Sequence, residues 1–151
     1  MKSQVTDTEL VTFLKGVDGF KDVQEDYLER MIIPLVGINA FHANQVIIKR
    51  GMEGANLHIL YQGRMRVIVP KADGTVFEVT LGPGAIVGEM SLVSNQPTMA
   101  DVVAEGPCLV LTLDGESLTN LILEDWRVTR AFARLIGQRV VARSGPHTAT
   151  L

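Results

Sequence analysis

The sequence predicts a mainly β domain, an antiparallel β-roll or sandwich, with helices at both ends of the chain. Between Phe41 and Leu113, short runs of β-branched and other apolar residues alternate with turns rich in glycine, which is typical of antiparallel strands. Before and after that region, apolar residues recur at the spacing of amphipathic helices. A chain of 151 residues with 46% hydrophobic content fits one domain with one core, here residues 1–151.

The N-terminal part, residues 1–37, is predicted to be helical. Thr6 and Glu9 have the spacing of a capping box, in which each side chain bonds the backbone amide of the other residue. A turn at Gly16–Gly19 separates two helices, and Pro34 is expected to end the second. The residues predicted to face inward are Leu10, Phe13, Leu14 and Val17, then Val23, Tyr27, Leu28, Met31 and Ile32.

The roll is predicted over residues 41–113. Its strands are predicted at Val46–Ile48, Leu57–Tyr61, Met65–Val69, Val76–Leu81, Val102–Val103 and Cys108–Leu113. Asp73-Gly74 is a strong hairpin signal between the third and fourth of these runs. Glycine and proline at residues 82–84 and 106–107 mark further turns.

Helical spacing returns after Gly115, which predicts C-terminal helices over residues 115–143 and a frayed tail over 144–151. The first is short and amphipathic. The second is long, begins near Trp126, which is expected to anchor its start, and carries its arginines on a solvated face. Its apolar stripe, either internal core or a dimer seam, consists of Val128, Phe132, Leu135, Ile136 and Val140.

Composition excludes several classes of function. The net charge of −3, the pI near 5.6 and the lack of a basic patch argue against direct DNA binding. The single cysteine, Cys108, cannot form an internal disulfide or a structural zinc site, and is expected to be a small buried hydrophobe. No apolar run is long enough to span a membrane and the start lacks signal-peptide features, so we expect a cytoplasmic protein.

Catalytic motifs are not found in the sequence. We find no nucleophile elbow, no Ser/His/Asp arrangement, no metal-ligand cluster and no phosphate loop of the GxxxxGK[ST] kind. An enzyme is therefore not expected.

One stretch carries chemistry. Gly88-Glu89-Met90-Ser91-Leu92 is followed by Pro97-Thr98-Met99-Ala100, and an ordered set of glycines precedes it, at positions 51, 54, 63, 74, 82 and 84. This arrangement resembles the phosphate-binding cassette and β-roll of cyclic nucleotide-binding domains, including the sensor half of catabolite activator protein-like regulators.

The resemblance implies an antiparallel β-roll of the jelly-roll (double-stranded β-helix) type with a pocket for a cyclic nucleotide. The backbone amides after Gly88 would face the phosphate, as at the N-terminus of a helix, and Glu89 would accept a hydrogen bond from the ribose hydroxyl. The candidate ligand-binding residues are Gly88, Glu89, Met90, Ser91, Thr98 and Met99. Met90 and Met99 are read more readily as core filler than as ligand contacts.

The cassette departs from the family pattern at Thr98, where an arginine is usual. An arginine makes two charge-assisted bonds to a phosphate, whereas threonine offers one neutral hydroxyl. Arg64 or Arg66 could replace the missing cation if either points into the roll. The helix-turn-helix domain of transcription-factor relatives does not follow the long helix in this sequence, which also argues against DNA binding.

The sequence therefore predicts a stand-alone sensory or regulatory domain that binds a small anionic ligand and signals through its C-terminal helix. Cyclic AMP and cyclic GMP are candidate ligands, weakened by Thr98. No cofactor is assigned, and the protein partner is unknown. Since relatives pair through the long helix, we expect a homodimer. The alternatives are a nucleotide-independent interaction or scaffold domain and, less favoured, a haem sensor that uses His58; a lone histidine in a strand is more often structural.

Overall fold

The computed structural model describes residues 5–51, 56–88 and 98–134. The chain divides into a β unit, Val36–Gly115, and a helical unit made of the residues up to Leu35 and those from Glu116 onward. The predicted fold class is confirmed, because the strands form antiparallel sheets and helices precede and follow them in the chain. That residues 1–151 form a single domain stays a prediction.

The described part of the β unit contains eight strands. They are β1 (Val36–Phe41), β2 (Val46–Ile48), β3 (Asn56–Gln62), β4 (Met65–Pro70), β5 (Val76–Leu81), β6 (Ile86–Val87), β7 (Asp101–Ala104) and β8 (Cys108–Asp114). They form two four-stranded sheets, in the orders β1-β8-β3-β6 and β2-β7-β4-β5. Most connections pass from one sheet to the other, as in a jelly roll.

Two strands were not predicted. β1 begins at Val36, inside the part predicted to be helical, and β6 lies just before the cassette. β1 pairs with β8 along its whole length, from Val36 opposite Leu113 to Phe41 opposite Cys108. Its sequence includes glycine, asparagine and alanine, which have low strand propensity, so the long-range pairing determines its conformation. The roll therefore starts earlier than residue 41.

Alternate side chains of the two sheets form the core of the β unit. The fully or almost fully buried ones include Leu57, Ile59, Met65, Val67, Val102, Ala104, Val110 and Leu113. Cys108 is buried as predicted, and its Sγ donates a hydrogen bond to the Arg64 carbonyl oxygen at 3.0 Å. The Asp73-Gly74 hairpin is confirmed between β4 and β5, with the Thr75 amide donating to Asp73 Oδ1 at 3.0 Å.

The helical unit begins with α1 (Asp7–Leu14), whose predicted capping box is present. The Glu9 amide donates to Thr6 Oγ1 at 3.1 Å, and the Thr6 amide donates to Glu9 Oε1 at 2.9 Å. Leu10 and Leu14 are buried, as the spacing predicts.

The second N-terminal helix changes its hydrogen-bond period along its length. α2 (Glu25–Tyr27) continues into a π turn (Leu28–Ile32) and a 3-10 turn (Ile33–Leu35). The Ile33 amide donates to the Leu28 carbonyl, the five-residue bond of a π turn. Met31 was predicted to face inward, but it is 40% exposed. The prediction was wrong because it assumed a regular α-helical period, and the wider turn rotates later residues around the axis.

Two helices follow the roll in the sequence, α3 (Gly115–Glu124) and α4 (residues 126–134). Val128, Ala131 and Phe132 of α4 are buried, and the Phe132 ring meets Phe20 edge-on at 5.0 Å between centroids. The two described residues of the apolar stripe, Val128 and Phe132, are therefore part of the core of the helical unit. The other stripe residues, Leu135, Ile136 and Val140, lie outside the described residues, as do the rest of the predicted helix and the tail.

The start of α4 also differs from the prediction. Trp126 was expected to anchor the helix by packing, yet 68% of its surface is exposed. Asp125 holds this end instead, since its Oδ1 accepts a hydrogen bond from the Arg127 amide at 2.9 Å, as an N-cap residue does. Arg127, Arg130 and Arg134 are exposed, which confirms the solvated face for the described part of the helix. None of the helices within residues 5–51, 56–88 and 98–134 has the length and apolar character needed to cross a membrane.

Candidate ligand-binding site

Gly88 begins the cassette directly after β6. Its φ of +91° lies in the left-handed region, and a Cβ added there would be 2.5 Å from the Asn56 carbonyl oxygen. β6 is held against β3 by the pairing of Val87 with His58 and of Ile86 with Ile59. The close approach of two backbones explains why this position requires glycine, both for its backbone conformation and for lack of space.

Thr98 lies at the other end of the cassette, where it is tied to the turn after β2. Its Oγ1 donates to the Lys49 carbonyl oxygen at 2.7 Å, and its own carbonyl accepts from the Gly51 amide at 2.8 Å. One residue further along the turn, the Arg50 amide donates to Asp101 Oδ1 at 2.7 Å. Residues 98–101, which include the end of the cassette and the start of β7, are thus joined to residues 49–51 by three hydrogen bonds.

The remaining candidate residues are only partly located by the structure. Glu89, Met90 and Ser91 lie outside the described residues. Met99 is 63% exposed, so the prediction that it fills the core is wrong for the described structure. Residues 98–100 precede β7 and belong to no strand or helix, so no regular alternation turns the Met99 side chain toward the core.

A replacement cation from β4 is not found. Arg66 lies on the face of β4 opposite to the buried Met65 and Val67, and its Nη1 is 3.5 Å from Glu78 Oε1. Arg64 is 69% exposed in its side chain and pairs with Glu105 at 3.5 Å. The hypothesis that either arginine points into the roll is therefore wrong. Glu105 belongs to this ion-pair cluster on the outside of the sheet.

Basic residues are also missing from the sequence around the cassette. No lysine, arginine or histidine occurs between Lys71 and Arg127, although this stretch includes β5 to β8 and the whole cassette. Lys49 and Arg50, whose backbone contacts the segment after the cassette, have exposed side chains. A phosphate held by the cassette would therefore meet few positive charges and would depend mainly on neutral donors.

His58 is half-buried on β3 and next to Gly88. Its Nδ1 lies 3.3 Å from Thr112 Oγ1, and its Cδ2 would be 3.7 Å from a Cβ on Gly88. Burial lowers the pKa of His58 below its ordinary value of 6.5, because the charged ring loses water. Across the described ranges, no group of three or more His, Cys, Asp or Glu side chains could hold a metal ion. These contacts agree with the structural interpretation of His58.

Sequence reasoning missed the role of Asp101. Its contact with the Arg50 amide joins residues that are 51 positions apart in the chain. A bond of that separation leaves no local spacing or turn signal that could have indicated it.

Comparison with known proteins agrees with this geometry. A family model described as "Cyclic nucleotide-binding domain" matches residues 38–125, which is more than half of the chain. cGMP-dependent protein kinase 2 of Mus musculus is 31% identical over 123 residues, covering 80% of this chain. The chain spans only 16% of the length of that kinase.

Solved structures show the same fold. A cyclic nucleotide-binding domain from Methylobacillus flagellatus superposes with a TM-score of 0.76 at 22% identity, covering 91% of this chain and 77% of that chain. A regulatory subunit of a cAMP-independent protein kinase A from Trypanosoma cruzi, bound to guanosine, gives a TM-score of 0.71 at 22% identity. The match covers 94% of this chain and 47% of that chain.

The corresponding Trypanosoma brucei subunit was solved as a triple mutant bound to cAMP in its A site, with a TM-score of 0.71 at 20% identity, covering 94% of this chain and 48% of that chain. Two of its three substitutions are adjacent, threonine to arginine and valine to alanine.

Proposed function

Because this chain belongs to the cyclic nucleotide-binding domain family, a family of regulatory ligand-binding domains, we propose that its roll senses a nucleoside-type ligand. The ligand is a purine nucleoside or its cyclic monophosphate, and base and ribose contribute more binding free energy than the phosphate does. Cyclic AMP and cyclic GMP bind, but with an affinity weakened by the missing arginine.

The observation that carries this proposal is that residues 72–126, which include the whole cassette, contain no lysine, arginine or histidine. Thr98 stands where the family uses arginine, and its hydroxyl donates to the Lys49 carbonyl at 2.7 Å. Arg64 and Arg66 pair with glutamates on the outer face of the roll. A cyclic phosphate would pay the cost of leaving water without a bidentate partner, whereas an uncharged nucleoside carries no such cost.

The magnitude can be bounded. Loss of one buried partner of a charge pair costs about 2–5 kcal/mol, which corresponds to roughly 30-fold to several thousand-fold in affinity. A cyclic nucleotide site of micromolar affinity would then bind with a Kd between about 30 μM and several millimolar. A nucleoside never made this contact, so its affinity is unaffected.

Two related structures agree with the expectation that a threonine in place of the arginine weakens binding of the cyclic phosphate but not of the nucleoside. The Trypanosoma cruzi subunit that gives a fold match is bound to guanosine, a ligand without phosphate. The Trypanosoma brucei mutant bound to cAMP carries a threonine-to-arginine substitution. The pair Thr98-Met99 has the same character, threonine followed by an apolar residue, which motivates the same substitution here.

Calorimetric titration of four ligands tests the proposal: adenosine, guanosine, cyclic AMP and cyclic GMP. For the unmodified chain, we expect the preferred nucleoside and its cyclic monophosphate to bind within about threefold of each other. Thr98→Arg should tighten the cyclic monophosphate at least about tenfold and leave the nucleoside unchanged, since only the phosphate gains a partner.

Thr98→Val is the matched control. It removes the hydrogen bond to Lys49 as Thr98→Arg does, but it adds no charge, so neither ligand should gain affinity. Capture of a cyclic monophosphate by the unmodified chain about 100-fold more tightly than its nucleoside would contradict the proposal.

A nucleotide-independent interaction or scaffold domain is the second candidate, and the missing cation is the observation that favours it. In that case no ligand would bind at millimolar concentration, and Thr98→Arg would not create binding. The exposure of Met99 removes one of the two methionines that could have filled the pocket.

The output of the sensor stays a proposal of the same kind. A ligand that binds more tightly to one position of the C-terminal helix shifts the population toward that position. We further propose a homodimer through that helix. Light scattering on the eluted protein, with and without ligand, tests it, and a monomer at all concentrations would exclude the dimer.

A further inference from the structure

A basic groove with an exposed aromatic side chain lies on the helical unit, formed only by residues of that unit. It has a volume of about 260 Å³ and is lined by Asp22, Trp126, Arg127, Arg130, Ala131 and Arg134. None of these residues belongs to the candidate ligand-binding site, and the proposed nucleoside sensing does not use them.

Two of the three arginines of the groove are paired with carboxylates. Arg127 Nε and Nη2 each donate to Asp125 at 3.2 Å, which makes a bidentate pair. Arg134 Nη1 donates to Asp22 Oδ2 at 2.7 Å. Arg130 has no carboxylate within bonding distance among the described residues. The groove therefore shows which chemistry its arginines bind, and it leaves one guanidinium open to an outside carboxylate.

The corner between α3 and α4 beside this groove is well fixed. Asp125 caps α4, and the Thr129 hydroxyl donates both to the Asp125 carbonyl at 3.1 Å and to the Ile122 carbonyl. This corner carries two large apolar side chains that face solvent, since Leu123 is 79% exposed and Trp126 is 68% exposed.

Exposed apolar residues beside an unpaired arginine on a fixed backbone are characteristic of protein-binding surfaces. Tryptophan and arginine are enriched among the residues that dominate interface energies, and a fixed backbone lowers the entropy cost of binding. We propose that the groove and the adjoining corner bind an acidic segment of a partner protein. One carboxylate of that segment pairs with Arg130, and an apolar side chain next to it packs on Trp126 and Leu123.

Charge distinguishes this partner from two others. A second copy bound to this surface with its two-fold axis beside Arg130 would bring the two Arg130 side chains together, and like charges that meet in an interface cost binding free energy. A nucleic acid needs several free cations, whereas two of these three arginines are already paired with carboxylates.

Trp126 is the only tryptophan of the chain, so its fluorescence reports on this groove alone. The full chain is titrated with a short acetylated peptide of alternating leucine and glutamate, which contributes no tryptophan or tyrosine signal. We expect a saturable blue shift of the Trp126 emission as water is excluded from the indole. A peptide with glutamine in place of every glutamate should bind at least about tenfold more weakly.

Variants locate the contact. Arg130→Gln should weaken binding of the glutamate peptide about tenfold or more, and Leu123→Ala should weaken it severalfold. Arg30→Gln is the matched control, because Arg30 is an exposed, ion-paired arginine of the same unit that does not line the groove. It should leave the affinity unchanged.

Several results would overturn the proposal. These are no shift at millimolar peptide, equal affinity for the glutamate and glutamine peptides, and unchanged affinity in Arg130→Gln. A shift that appears with rising protein concentration alone would assign the surface to a second copy. Tighter binding of a single-stranded oligonucleotide than of the peptide would assign it to nucleic acid.

Discussion

Gly88→Ala should destabilise the protein far more than the same substitution at a glycine of similar backbone conformation. Gly74 has φ +88° and Gly88 has φ +91°, so the left-handed conformation costs an alanine at either position about 1–2 kcal/mol. The lower entropy of the unfolded alanine chain offsets about 0.4–1 kcal/mol of this. Gly74→Ala should therefore cost about 1 kcal/mol, because nothing lies within 4 Å of its added Cβ.

At Gly88 a steric cost is added. The Cβ would lie 2.5 Å from the Asn56 carbonyl oxygen, which is backbone and cannot rotate away as a side chain can. Overpacking of this kind costs about 1–3 kcal/mol, so Gly88→Ala should cost about 2–4 kcal/mol in total. The pairing of Val87 with His58 lies directly beside the clash, and it must shift if Asn56 moves.

Urea unfolding of both variants, followed by circular dichroism, measures the two free energies of unfolding. The difference between them isolates the steric term, because the backbone term is common to both. A difference below about 0.5 kcal/mol would refute the reasoning, since it would mean that β3 and the cassette separate at little cost.

Three further predictions concern other parts of the chain. Burial lowers the pKa of His58, so the folded state binds fewer protons than the unfolded state below about pH 6.5, and thermal stability should fall as the pH is lowered through that range. His58→Gln should remove this slope, and His42→Gln should keep it. Thr6→Ala should lose about 1 kcal/mol through the capping box, measured by urea unfolding, whereas Thr8→Ala should lose none. Phe132→Ala should cost about 3–5 kcal/mol in the same assay, because it leaves a cavity beside Phe20.

Features set by neighbouring residues could be predicted from the sequence. The Thr6–Glu9 capping box, the Asp73-Gly74 hairpin and most strands follow from spacing and turn chemistry over a few residues, and the structure confirms them. β1 and the exposure of Met31 could not be predicted. β1 depends on pairing with β8 at the far end of the roll, and Met31 is displaced by a π turn that apolar spacing does not reveal.

The candidate site stays a prediction, and the contacts that the structure shows at Gly88 and Thr98 could not be predicted from the sequence. The glycine pattern identified Gly88 and Thr98 as the two ends of the cassette. The hydrogen bond from Thr98 to Lys49 and the one from Arg50 to Asp101 join residues 49 and 51 positions apart, so they depend on the completed fold. The outward direction of Arg66 likewise follows from the register of β4, in which a shift of one residue would reverse every side chain.

The burial of Cys108 makes the rate of thiol modification a measure of how often the roll opens. Cys108 is 4% exposed, its sulfur donates a hydrogen bond to the Arg64 carbonyl oxygen, and there is no other thiol in the chain. A thiol reagent can reach it only when β8 separates from its neighbours, because the thiolate must be exposed to react. The rate of modification in native buffer therefore times the spontaneous opening of the roll, and a bound ligand that holds the roll closed would slow it in proportion to its occupancy.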